Sequence, residues 1–122
     1  MGDNIPDNTT DDKLIKLRQL LEDYSYPEKI YKGMLNDIDT LLTWAIQELI
    51  HIGISEDEVR TYLGDPFVEI SPNDSVSDWL YPCLFTDGDN SSREMDGNWF
   101  YDLQFRGSIL ISINKRKWRL II

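Results

Sequence analysis

The chain has little of what most enzyme chemistry is built from: one histidine and one cysteine in 122 residues. A lone thiol, Cys83, cannot form an internal disulfide, so a reducing compartment is the expectation. Zinc sites draw on several Cys and His ligands, and these are too few. His51 alone would have to serve any nucleophile–base array. Near the end of a helical stretch, its simpler role is a cation favoured by the helix dipole. Cys83 lies among apolar strand residues, where a buried structural thiol is the simpler reading. There is no glycine-rich phosphate loop. No apolar run approaches the ~18 residues of a membrane span. The first residues lack the charged-then-apolar order of a signal peptide. A cytoplasmic location without membrane contact is therefore expected.

Basic residues are scarce as well, 12 Lys and Arg against 22 Asp and Glu, for a net charge of −10. Residues 1–92 carry 19 acids and 6 bases, and residues 93–122 carry 3 and 6. Such a chain is repelled by the phosphates of DNA or RNA, so no nucleic-acid partner is expected. Its field suits a basic protein, chiefly by speeding encounter; the plain alternative is that acidity only maintains solubility. Lys115-Arg116-Lys117, with Trp118 and Arg119, is too small a basic group to reverse this, and is read as a solvated hairpin tip. Asp87-Gly88-Asp89-Asn90-Ser91 is rich in oxygen. A calcium loop would want Gly where Ser92 stands and Glu where Asn98 stands. The stretch is read as a solvated loop, and neither metal nor cofactor is expected. Among 22 acids, carboxylate pairs suited to glycoside chemistry are too easily found to mean anything.

What is present is a clear change of period. Residues 1–10 are polar, with Pro6, and are expected to be disordered ahead of one domain, residues 11–122. Leu14, Leu17, Leu20, Leu21 and Tyr24 then share a helical face. After Tyr26-Pro27, apolar residues at helical spacing predict a second helix over residues 28–51, wide enough to pack on two sides, with Gly53 placed to end it. Ser55-Glu56-Asp57-Glu58 starts a third: the Ser55 side chain caps the Glu58 N–H, Glu58 reaches back to the Ser55 N–H, and Ile54 and Val59 form a staple. That helix stops at Gly64-Asp65-Pro66.

From Phe67 the period is two, with strands expected at residues 67–70, 76–85, 98–105, 108–114 and 118–122, and a long loop at 86–97. A two-residue turn pairing Phe105 with Ser108 would set Trp99, Tyr101, Leu103 and Phe105 on the face opposite Ile109, Ile111 and Ile113. A three-residue loop, Arg106-Gly107-Ser108, pairs Phe105 with Ile109 and unites them, so that register is expected. The fold class is α+β: two or three N-terminal helices on one face of a C-terminal antiparallel meander.

Gly53-Ile54-Ser55-Glu56-Asp57-Glu58-Val59, Leu63-Gly64-Asp65-Pro66, Trp79-Leu80-Tyr81 and Leu103-Gln104-Phe105-Arg106-Gly107 carry a resemblance. Over residues 53–113, half of the chain, it resembles the small helix-helix-sheet module of the outer-membrane barrel-assembly lipoprotein and the β-lactamase-inhibitor proteins. The resemblance implies a scaffold that binds proteins, in the inhibitors through the exposed sheet face.

Two surfaces are candidates for such binding. One is the outer sheet face. In the expected register it places Gln104 opposite Leu110 and Asp102 opposite Ser112, Leu110 opposite Ile121 and Ser112 opposite Arg119, with Phe100 nearby. An apolar centre is thus edged by exposed polar groups. The other is Trp44, on a helix flank near Asp37 and Glu48, an aromatic anchor among acids that the N-terminal segment would cover in the plainer reading. The function expected is a non-enzymatic inhibitor, an immunity-type protein neutralising a basic toxin or enzyme domain. An assembly or adaptor subunit is the second reading, and an enzyme working through carboxylates the third.

Overall fold

A computed structural model describes residues 5–73, 75–84 and 99–117, with side chains from Thr10 onward. Helix α1 (Ile5–Asp23) begins inside the stretch expected to be irregular; Pro6 lies in its first turn, where its missing N–H costs nothing. Leu14, Leu17, Leu20 and Leu21 all face the core, as their spacing predicts.

The second helix is shorter than expected. Pro27–Lys29 forms a single 3₁₀ turn, and α2 covers only Met34–Glu48. The break falls at Gly33, whose φ of 89° is open to glycine and costly for other residues. Ile30 and Tyr31, counted toward the apolar face of a continuous helix, are therefore exposed. Gly53 does not cap α2; it sits in the turn before α3 (Glu56–Leu63) with φ 100°. At the start of α3 the Glu58 N–H donates to Ser55 Oγ at 3.2 Å. The reciprocal leg differs: the Glu58 carboxylate accepts from the Ser55 hydroxyl at 3.4 Å.

Strands β1 (Val68–Ile70), β2 (Val76–Pro82), β3 (Trp99–Arg106) and β4 (Ile109–Lys117) form one antiparallel sheet in that order. The expected strand at residues 118–122 and the expected loop at 86–97 lie outside the described residues. Trp79, Tyr81, Leu103, Phe105 and Leu110 meet the leucines of α1, Ile38, Leu42 and Ala45 of α2, and Val59 and Leu63 of α3 in one core. The chain is thus α+β, with its helices against one face of the sheet.

The β3–β4 register differs from the expected one. Gly107 and Ser108, both at positive φ, make a two-residue turn that pairs Arg106 with Ile109 and Phe105 with Leu110. A bulge follows, so that Gln104 faces Ser112 and Leu103 faces Ile113. Ile111 is the extra residue. Lys115, Arg116 and Lys117 are strand residues and not a hairpin tip.

Candidate protein-binding surface

The two-residue turn at Gly107-Ser108 dissolves the patch expected on the outer sheet face. Leu110, placed at its centre, is fully buried on the core side beside Phe105. Gln104 is opposite Ser112, and Asp102 is opposite Asn114. Phe100 and Asp102, expected to be accessible, are only 5% and 2% exposed. Gln104 and Ser112 are half-buried, and Arg119 and Ile121 lie outside the described residues.

Trp44 is not an open anchor either. It is half-buried against the core, and Lys13 of α1 brings its ammonium 4.8 Å from the ring centroid. The acids near it are not arrayed around it: Asp37 accepts the Tyr31 hydroxyl at 2.8 Å, and Glu48 is exposed at the end of α2.

A different surface is better formed. A groove of about 460 Å³ lies between the second half of α1 and the α3–β1 connection, lined by Leu21, Tyr26, Leu63, Pro66 and Phe67. Its shape follows from local chemistry. Gly64, at φ 79°, ends α3 and Pro66 prevents its continuation, while Tyr26-Pro27 turns the chain out of α1. Arg18 ties the two walls together, its guanidinium donating to the carbonyls of Thr61 and Tyr62 at 3.1 Å each, the negative end of α3. Phe67 is fixed by Tyr24, edge-on at 5.6 Å, and by Phe100, stacked at 6.0 Å. Tyr26 and Phe67 nevertheless remain 46% and 39% exposed. Glu22 and Asp65 add two exposed carboxylates, the second ion-paired to Arg60.

The sequence reading did not find this groove, because its walls come from segments about 45 residues apart. Its trace in the sequence was two aromatics beside prolines, Tyr26 before Pro27 and Phe67 after Pro66.

Two buried polar groupings complete the described residues. Asp39 of α2 is buried; it accepts from Lys115 at 3.1 Å and from the Leu84 N–H at 3.0 Å. Lys115 also donates to the Leu84 carbonyl at 2.7 Å and lies 5.0 Å from the Tyr101 ring centroid. Across the sheet, Arg116 donates to Asp102 at 2.8 Å. His51 is exposed, and its ring contacts only the neighbouring Ile52 carbonyl, at 3.1 Å, among described hydrogen bonds.

Burial pushes the Cys83 thiol up to about 12, against the opposing pull of the Lys115 charge. The native thiol is therefore expected to resist iodoacetamide at pH 8 and to alkylate within minutes once the chain is unfolded in urea. Fast alkylation of the folded protein would show that Cys83 is reachable. Among the described residues no three His, Cys, Asp or Glu gather as metal ligands, and no helix is long and apolar enough to cross a membrane. Comparison with protein-family models, curated proteins and solved structures returned no match for this chain.

Proposed function

We propose that the protein is an acidic, cytoplasmic, immunity-type inhibitor that binds and neutralises a basic toxin or enzyme domain. The observation that supports this most is the exposed aromatic groove on a chain of net charge −10. Partly exposed Tyr and Phe beside carboxylates offer a basic partner both an apolar anchor site and attraction at long range. The preformed walls, held by Arg18 and the Tyr24–Phe67–Phe100 stack, reduce the ordering cost of binding.

The test begins with affinity capture of the partner and its identification by mass spectrometry, followed by binding kinetics. The association rate is expected to fall at least several-fold between low and physiological salt, with dissociation changing less. Tyr26→Ala and Glu22→Lys are expected to weaken binding by about tenfold or more, whereas Trp44→Ala and Gln104→Lys leave it intact. An acidic partner or a salt-independent association rate would defeat the electrostatic reading. Normal binding by both groove variants would move the interface elsewhere.

A further inference from the structure

Asp102 projects from β3 on the face turned away from the helices, and it is 2% exposed. Such a carboxylate should have both oxygens satisfied. Arg116 satisfies Oδ2, yet Oδ1 of Asp102 and Oδ1 of Asp78 are each buried with no donor among the described residues. The two residues are diagonal neighbours on adjacent strands, Asp78 facing Gln104 and Leu80 facing Asp102. Both side chains project from the same face of the sheet, near enough for the Asp78 charge to act on Asp102. Two ionised carboxylates cannot hydrogen-bond to each other, each having about four acceptor lobes and no donor. With one proton between them, the orphaned oxygens satisfy one another.

We propose that Asp78 and Asp102 share a single proton and form a pH-sensitive latch between β2 and β3. One carboxyl donates its O–H to the other carboxylate, and loss of that proton leaves two like charges facing each other at a buried site. The neighbouring groups decide how far the latch can respond. From β4 only Arg116 is charged on this face, and it favours ionised Asp102. From β1 the residues on this face are Val68 and Ile70, and the intervening side chain on β3 is the neutral Gln104. Arg106, exposed at the end of β3, is the other described charge on the face.

Burial, and then the Asp78 charge, raise Asp102 to about 6, against the pull of Arg116. An unfolded Asp titrates near 4. Between these values the folded chain holds the proton more tightly than the unfolded chain. Stability from the latch is thus fully present below about pH 4 and is lost as pH rises through about 6.

The latch also touches the groove. Phe100 lies two residues from Asp102 and opposite Arg116, and it stacks on Phe67 of the groove wall. The proposal nevertheless stands independently of any partner, and its test uses the free protein. Carboxyl-carbon NMR titration of the whole chain should show a midpoint near 6 for Asp102. Asp78→Asn, which keeps shape, should lower the Asp102 midpoint by about one unit or more, and Arg116→Gln should raise it. The urea midpoint of the wild type should fall between about pH 5 and 7, and the Asp78→Asn variant should lose most of that slope. An Asp102 midpoint below about 4.5, or one unmoved by Asp78→Asn, overturns the proposal.

Discussion

Replacing Leu110 with Glu should abolish cooperative folding, while the same replacement one residue later, at Ile111, should leave a folded protein. Leu110 is fully buried opposite Phe105, and its backbone is engaged on both sides: its N–H donates to Ile54 and its carbonyl accepts from Gly53. A glutamate there loses a buried leucine's transfer energy and puts a charge into an apolar core, where the described neighbours supply no cation. Together these amount to about 5 kcal/mol or more, comparable with the whole stability of a small domain. Ile111, the bulged residue, is 40% exposed, and a charge there should cost about 1 kcal/mol or less. Circular dichroism and urea unfolding of the two variants would decide it. A folded Leu110→Glu beside an unfolded Ile111→Glu would mean that the strands pair one residue out of step.

Lys115→Ala should destabilise the protein by about 3 kcal/mol, because it leaves the Asp39 carboxylate buried without its cation. Three parts of the chain depend on this one ammonium: α2 through Asp39, the segment just after β2 through the Leu84 carbonyl, and β4 through Lys115 itself. Asp39→Asn should cost less, since the amide oxygen still accepts the Leu84 N–H while the buried charge is gone. In the double variant the loss should be smaller than the two single losses added together. Urea denaturation of the four proteins at pH 7 supplies the cycle. Simple additivity would mean that the 3.1 Å contact contributes nothing to stability.

These residues also show where sequence reading succeeds and where it stops. The start and end of α3 were legible because each is written within ten residues: Ser55 with Glu58, then Gly64 with Pro66. So was the division into helices followed by strands, since side-chain period changes from 3.6 to 2. The break in the second helix was missed because the apolar spacing runs on unbroken across Gly33, where the chain takes a positive φ. The register failed for a sharper reason. The turn closes on Gly107-Ser108 and brings Leu110 opposite Phe105. The bulge at Ile111 then restores Ile113 to the core side, so alternation with one partner per residue could not describe this strand. With the register went the candidate patch, since Leu110 moved to the core side. Asp39 was visible in principle: it falls four residues after Leu35 and three before Leu42, an acid on the buried stripe. Its partner, 76 positions away, was not.

The short pairing of residues 53–56 with the β3–β4 turn bears on self-association. The hydrogen bonds from Gly53 to Leu110, from Leu110 to Ile54 and from Glu56 to Ser108, with the Ser55–Ile109 bridge, occupy the outer margin of β4 beside the turn. Ile109 and Ile111 are 41% and 40% exposed there, and both are strong strand formers. A bare margin carrying them would be a template for another copy's strand. The link before α3 therefore works as a guard strip. A lesion that frees it, such as a bulky β-branched residue at Gly53 (φ 100°), should reveal itself first as aggregation on warming, ahead of any loss of helix.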